Sequence, residues 1–451
     1  MNEPGVDAAP KPTFGEFVRA WVSISLQTFG GPAAQISVMH RALVEERRWL
    51  SEHRYLRALS YCTLLPGPEA QQLAIYCGWL MFGTAGGIVA GSLFVLPGFV
   101  VLLAVSLIYV GYGDTAVVAA LFAGVAPAVL PIVLQAVTRV ARRALGNLVR
   151  WGLAIGAFLA LFALDVPFPV VIGAALVLGL TAGRRWPAAF STPGASPGEA
   201  ESEPVDLAAN GHARAGGGRF ARVLVVGLSL WALPFVLIAT TVGTDSTLFD
   251  QARFFSITAV VTFGGAYAVL GYIGQRAVDV YGWLRPGEMA TALALAETTP
   301  GPLIQLVQFV GFIGAYRSPG TLDPWVAGIL ASVVVTWVTY VPCFLWIFLG
   351  APSVERLHER PSLTHALNAV MAAVVGVIAN LAAYFAVHTL FERVEDGHRF
   401  GPLQLIVPEW SSLDVRALAI AVGAAIVLFR FRWSVPRVVV VAAVVGGVLY
   451  L

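Results

Sequence analysis

Charged residues are scarce: Asp, Glu, Lys and Arg make up 12% of the 451 positions, against 58% hydrophobic residues. An ordinary solvated surface carries about a quarter charged residues, so a soluble globular protein is excluded and a polytopic membrane protein is expected. The net charge of +2 gives no reason to expect a nucleic-acid partner. The 28 basic residues fall in short connections between apolar runs, where they act as orientation signals. Cysteine is nearly absent. Cys62, Cys77 and Cys343 lie in or beside apolar runs without Cys-x-x-Cys or Cys/His spacing, which excludes a disulfide framework, a zinc site and a redox centre. The seven histidines do not cluster, and no glycine-rich phosphate loop of the Walker type occurs. No catalytic residue, metal or cofactor is therefore expected. The first seventeen residues lack the basic start, apolar core and cleavage site of a secretory signal. A retained N-terminus is expected, with Thr13 and Glu16 forming a capping box ahead of Phe17 and Trp21.

What is present is a repeat. Phe29-Gly30-Gly31 recurs as Phe263-Gly264-Gly265, Trp49-Leu50 as Trp283-Leu284, Pro66-Gly67-Pro68 as Pro300-Gly301-Pro302, and Gln71 as Gln305, all at one offset of 234 residues. Beyond Arg317 the offset lengthens to 245, pairing Leu96-Pro97 with Val341-Pro342. Two homologous membrane halves point to a transporter.

Read against a span of about 20 residues, the apolar runs give candidate helices near 18–38, 58–83, 84–109, 115–138, 148–164 and 166–183 in the first half. Those of the second are near 222–242, 252–272, 288–316, 324–350, 365–390, 415–431 and 434–451. The segment 184–221 is small, polar and rich in glycine and proline, as a flexible linker is. The expected organisation is a tail over 1–17, a first half over 18–183, the linker, and a second half over 222–451 that opens with a connecting helix. Parity decides how the halves face each other. Treating 58–83 as one interrupted helix makes the second copy inverted, whereas treating it as a re-entrant hairpin makes the halves parallel. The distribution of Lys and Arg is similar under both arrangements and leaves the choice open.

The doubled Pro-Gly-Pro motif carries the chemistry. Each proline removes a backbone donor and crowds the preceding turn, so the helix must stop and restart. Non-helical backbone at membrane depth is tolerated only where protein or a wet cavity satisfies it. Pro66, Gly67, Pro68, Pro300, Gly301 and Pro302 are thus expected along a substrate path, with Glu69-Ala70-Gln71 and Leu303-Ile304-Gln305 as the first turns of helices whose N-termini face an anion. Gln71 and Gln305 are expected to donate side-chain bonds at equivalent places. Gly30, Gly31, Gly264 and Gly265, beside Thr28 and Thr262, are candidates for opened backbone and local hydroxyls at the same site. Glu69 and Glu297 are costly acids at membrane depth and are expected to couple or gate transport. Arg41, Arg57, Arg276 and Arg285 are candidates for collecting anions at a cavity mouth. Glu45 and Asp279, an acid in each loop after the Phe-Gly-Gly helix, are expected to pair with neighbouring arginines.

The run from FGGP and WL to LLPGPEAQQLAIYCGWLMFGTAGGIVAGSLFVLPGF, with TFGG, WL and AETTPGPLIQLVQFVGF in the other half, resembles the chromate ion transporter family in its long-chain, two-half form. The resemblance spans all but the tail and linker. It implies an all-α polytopic fold of about 13 membrane helices, with halves inverted and helices broken at Pro-Gly-Pro. It also implies export of chromate from the cytoplasm across a bacterial-type plasma (inner) membrane by a secondary mechanism, with chromate resistance as the consequence. Sulfate is the chemically similar anion. The partners expected are the anion, the lipid bilayer and, as one option, a second copy in a homodimer. Transport of sulfate or another oxyanion, a channel, and a membrane-embedded enzyme on a lipid-linked substrate remain as alternatives.

Overall fold

The computed structural model describes residues 12–113, 115–190, 217–263, 265–351, 361–400 and 403–451. Gly264, most of the linker and the first eleven residues lie outside the described residues. Helix α1 (Phe14–Ser25) starts at the expected capping box: Thr13 accepts from the Glu16 amide while the Glu16 carboxylate accepts from the Thr13 amide. It is followed by α2 (Gly31–His40), α3 (Glu52–Cys62), α4 (Glu69–Tyr112), α5 (Ala116–Ala144), α6 (Leu148–Phe162), α7 (Phe168–Arg185) and the short α8 (Pro187–Phe190). After the linker come α9 (Gly217–Thr241), α10 (Thr247–Val261), α11 (Ala266–Gln275), α12 (Glu288–Thr298), α13 (Leu306–Arg317), α14 (Pro324–Gly350) and α15 (Pro361–Leu390). Helices α16 (Val415–Phe429) and α17 (Val435–Tyr450) end the chain. Six helices, α4, α5, α7, α9, α14 and α15, are long and apolar enough to cross a membrane. Shorter apolar helices include α6, α16 and α17.

The expectation of one helix over 58–83 is corrected. Helix α3 stops at Cys62, α4 starts at Glu69, and the rings of Tyr61 and Tyr76 lie 5.3 Å apart. Fifteen residues of straight helix would separate them by roughly 22 Å, so the chain turns back at Pro66-Gly67-Pro68. It reverses again inside α4, where Phe82 is non-helical and Gly83 has φ +62°. A Cβ added to Gly87 would meet the Ile75 carbonyl at 3.1 Å, and Gly78 lies directly on Gly86. Residues 69–81 and 84–112 are therefore antiparallel arms.

The same reversal recurs in the second half. Glu288 at the start of α12 and Arg317 at the end of α13 form an ion pair of 2.6 Å, which closes a hairpin whose tip is Pro300-Gly301-Pro302. Phe254 of α10 stacks 5.5 Å from Tyr272 of α11, so Phe263-Gly264-Gly265 is a tip as well. In the first half, Phe14 packs against Phe82 at 5.4 Å and His40 bonds Glu52 at 2.7 Å. Both ends of the α1–α2 pair thus lie at the open end of the α3–α4 hairpin, with Phe29-Gly30-Gly31 at its tip. Four apolar runs, near 18–38, 58–83, 252–272 and 288–316, are helix pairs and not single helices. Their arms are short: eleven residues give about 16 Å, half of a hydrocarbon core of about 30 Å.

The equivalent long helices run in opposite directions. A Cβ on Gly87 would meet Phe348 at 2.7 Å, and one on Gly111 would meet Trp325 at 3.5 Å. The 84–112 arm of α4 is therefore antiparallel to α14. Beyond them the halves interlock, because α5 packs on α16 and α17 while α15 packs on α6 and α7. Glycines permit the closest approach, with Gly124 on Gly446 and Gly376 on the Ala154 carbonyl; small residues let backbones meet this way in membranes. Repetition extends to detail. Each half has a π-helical turn after its second helix, at Arg41–Glu46 and Arg276–Val280. The amides of Trp49 and Trp283 return to Leu43 and Ala277 at 2.8 and 2.7 Å.

The all-α expectation needs one further correction. Strands β1 (Val394–Phe400) and β2 (Leu403–Pro408) pair antiparallel between α15 and α16. This short polar stretch was not separable from loop by apolar periodicity.

Candidate functional site

One hydrogen bond occurs twice where the four tips meet. The Gly67 amide donates to the Thr262 carbonyl at 2.8 Å, and the Gly301 amide donates to the Thr28 carbonyl at 2.9 Å. Thr262 and Gly301 are the repeats of Thr28 and Gly67, so each Pro-Gly-Pro tip is bonded to the Phe-Gly-Gly tip of the opposite half. The turns require glycine, since φ is +122° at Gly67, +100° at Gly301, +81° at Gly31 and +97° at Gly265. Side chains with a Cβ rarely adopt these angles.

The long helices complete the junction in the same reciprocal way. Gly98, after Pro97 of α4, lies on the Pro300 carbonyl, and a Cβ on Gly67 would meet the Cys343 sulfur, after Pro342 of α14, at 2.9 Å. Pro66 and Pro302 flank the turns, Pro68 caps α4, and all of Gly67, Pro68, Pro300, Gly301 and Pro302 are buried.

Both carboxylates face the glycine turn of the other half. Glu297 is 1% exposed and accepts a hydrogen bond from the Tyr267 hydroxyl. A Cβ placed on Gly31 would stand 3.7 Å from each of its oxygens. Its Oε2 has no hydrogen-bond partner among the described residues. Glu69 is half-buried, with Oε1 3.8 Å from a Cβ built on Gly265. The charges of Arg139 and Arg143, one turn apart on α5, act on Glu297 and Glu69 respectively.

The two repeated glutamines are not equivalent, which corrects the expectation of matched donors. Gln71 is fully buried, and neither its Nε2 nor its Oε1 has a partner among the described residues. Gln305 donates to Gln308 Oε1 at 2.6 Å and to Thr336 at 3.2 Å. It lies in a 3-10 turn over Leu303–Gln305, and α13 starts only at Leu306. The Thr28 and Thr262 hydroxyls are also committed, to the carbonyls of Ser25 at 2.8 Å and Thr258 at 2.5 Å. Their carbonyls, and not their hydroxyls, serve the junction.

The four arginines do not converge. Arg41 is exposed and pairs with Glu46 at 3.5 Å, while Arg57 is partly exposed on α3. Arg276 packs over Tyr281 at 5.5 Å, and Arg285 is exposed, its amide bonded to Glu288 at 2.7 Å. Arg41 and Arg57 belong to the first-half hairpins and Arg276 and Arg285 to the oppositely directed second-half hairpins. Glu45 bonds His40 at 3.1 Å, a histidine where an arginine was expected.

Tyr267, Gln35 and Gln72 were not anticipated. Gln35 donates to the Gly301 carbonyl at 2.6 Å and Gln72 to the Pro66 carbonyl at 2.7 Å. None has an equivalent in the other half, where Ala33, Val269 and Leu306 stand, so the repeat that exposed the rest concealed them. No group of His, Cys, Asp and Glu able to hold a metal occurs among the described residues. The arrangement offers a buried unpaired carboxamide, helix N-termini at the tips and two acids, a set suited to an anion and a proton, with no nucleophile and base in register.

Comparison with known proteins supplies the substrate class. A family model described as Chromate transporter matches residues 15–180 and 249–448, one block in each half. A chromate transport protein of Pseudomonas aeruginosa is 30% identical over 382 residues, covering 82% of this chain and 81% of that protein. One from Cupriavidus metallidurans is 26% identical over 99% of this chain and 95% of its own length. A probable chromate transport protein of Synechococcus elongatus is 27% identical over 82% of this chain and 84% of its own. No solved structure matches. The chain is a polytopic membrane transport protein, not an enzyme, and it belongs to the chromate transporter family.

Proposed function

We propose that the chain exports chromate from the cytoplasm by a secondary mechanism, and that the export confers chromate resistance. The reciprocal bonds Gly67 to Thr262 and Gly301 to Thr28 carry this reading: they join two oppositely directed halves at one central junction, where transporters with inverted repeats hold their substrates. In it, α4, α5, α6, α7, α9, α14, α15, α16 and α17 cross the bilayer, and the four hairpins enter it to about half depth. Nine crossings and four re-entrant hairpins replace thirteen crossings. Five crossings then separate the two Phe-Gly-Gly tips, which keeps the halves inverted although the Pro-Gly-Pro segments are hairpins.

Charge supports the orientation. Among the described residues, Arg253, Arg276, Arg285, Arg317, Arg393, Arg399 and Arg416 belong to one side, and more than twice as many arginines belong to the side of the N-terminus and linker. Basic loops stay in the cytoplasm, so the N-terminus faces inward across a bacterial inner membrane.

The anion binds among the tips, with Gln71 as side-chain donor and the amides that open α2, α4, α11 and α13 as backbone donors. Pro66, Gly67, Pro68, Gln71 and Gly31 form the first-half wall, and Gly265, Pro300, Gly301, Pro302 and Gln305 the second. Glu297, held by Tyr267, and Glu69 titrate during the cycle and couple or gate it. Arg41 and Arg57 collect anion on the cytoplasmic face, Arg276 and Arg285 on the other. Labelled chromate flux into proteoliposomes tests the reading. Saturable flux that Gln71→Leu abolishes supports it, and equal flux in wild type and variant contradicts the assigned site.

A further inference from the structure

Helix α9 belongs to neither repeat, lying between the two blocks of the family match. It is fixed to α14 by two reciprocal indole bonds: Trp231 Nε1 donates to the Val338 carbonyl at 3.1 Å, and Trp337 Nε1 donates to the Leu230 carbonyl at 2.7 Å. From Leu230 toward its N-terminus α9 leaves the 84–112 arm of α4, and an open groove of about 750 Å³ remains between α4, α9 and α14. That volume falls in the range of sites that hold a drug-sized molecule, about 300–1,000 Å³.

The groove is apolar along its length and basic at one end. Ile88 and Leu96, Val226 and Leu230, and Phe344 and Phe348 line its walls, while Arg219 and Arg222 line the end at the start of α9. No acidic residue lines it. Arg219 packs over Trp79 at 5.8 Å, the aromatic and cationic pairing found at headgroup level. Arg219 and Leu230 are eleven residues apart, about 16 Å along a helix, which matches one leaflet of a hydrocarbon core of about 30 Å. At the deep end, the Tyr340 hydroxyl lines the groove without a hydrogen-bond partner, on a residue only 4% exposed.

We propose that this groove is a binding site for one anionic glycerophospholipid of the leaflet on the N-terminal side. Its phosphate sits against Arg219 and Arg222, one acyl chain lies between α4 and α9, and the ester region of the second chain is excluded from the apolar wall. Complementarity of charge at one end and of apolar length along the rest selects this occupant over a protein helix, whose paired side chains would place polar groups against Phe344 and Phe348. The site rests on the membrane placement of these helices and is independent of the anion carried.

Native mass spectrometry of the full chain, exchanged into nanodiscs of equal phosphatidylglycerol and phosphatidylcholine with identical chains, tests it. Wild type is expected to retain phosphatidylglycerol about tenfold over phosphatidylcholine. The double variant Arg219→Gln, Arg222→Gln loses that preference, Arg219→Lys, Arg222→Lys keeps it, and Val226→Trp, which fills the groove, loses retention of both lipids. Equal retention by wild type, or a preference unchanged in the glutamine variant, overturns the proposal. So does undiminished retention by Val226→Trp. Chromate flux measured on the same samples separates this outcome from failure of the transport reading.

Discussion

Gly31 lies against Glu297 across the interface between the halves: a Cβ added at Gly31 would stand 3.7 Å from both carboxylate oxygens and 3.3 Å from the Tyr267 hydroxyl. The backbone at Gly31 has φ +81°, an angle that costs a residue with a Cβ roughly 1–2 kcal/mol. Gly31→Ala is therefore expected to reduce chromate flux at least tenfold while leaving a folded protein. Gly15→Ala, where a Cβ meets nothing within 4 Å, leaves flux unchanged. Flux assays with size-exclusion profiles of both variants check this, and a wild-type rate for Gly31→Ala would remove the functional reading of that contact.

Glu297 and Tyr267 form the only acid and hydroxyl pair assigned to coupling. Glu297→Gln keeps the shape and removes the titration, so the dependence of flux on an imposed pH gradient should disappear. Tyr267→Phe deletes the hydrogen-bond donor and should lower flux several-fold. A Glu297→Gln protein with the wild-type pH profile would transfer the coupling role to Glu69 or remove it.

Gln71 and Gln305 should separate stability from function. A buried amide without partners costs about 1–3 kcal/mol, so Gln71→Leu should raise the melting temperature in detergent while abolishing flux. Gln305→Leu breaks bonds to Gln308 and Thr336 and should lower it. Thermal melts of the two variants give the sign directly, and destabilisation by both would mean that Gln71 has a structural partner.

The ion pairs at the periphery should differ in weight. Arg317 donates to both oxygens of Glu288 at 2.6 and 2.7 Å, and Tyr109 and the Arg285 amide complete the carboxylate. The Glu288 side chain is 10% exposed; breaking such a pair costs about 3–5 kcal/mol when the remaining charge is buried. Arg41 and Glu46 are more than half exposed, where a pair contributes about 0–1 kcal/mol. Glu288→Gln is expected to lower the melting temperature markedly and Glu46→Gln hardly at all. Equal shifts would show that the second hairpin does not depend on its closing pair.

Much of this fold was legible because it is written twice. The anchors at the 234-residue offset, Gly67 with Gly301 and Thr28 with Thr262, meet as reciprocal partners, and the offset of 245 brings Gly98 and Cys343 to equivalent contacts. Hydrophobicity located the apolar runs but not their depth. A run such as 58–83 has the length of a crossing, and only Tyr61 beside Tyr76 reveals the reversal. Residues without a repeat were hidden for the same reason. Tyr267 faces a first-half Ala33, and Arg139 and Arg143 read as ordinary basic residues at the end of α5.

The most direct test of the account is chromate flux through the purified full-length protein in liposomes, measured with and without a pH gradient and with sulfate competing. The account predicts saturable chromate flux that responds to the gradient and is lost in Gln71→Leu and Gly31→Ala. Absence of flux under every gradient from folded protein, or flux indifferent to both substitutions, would contradict the placement of an oxyanion site at the meeting of the four tips.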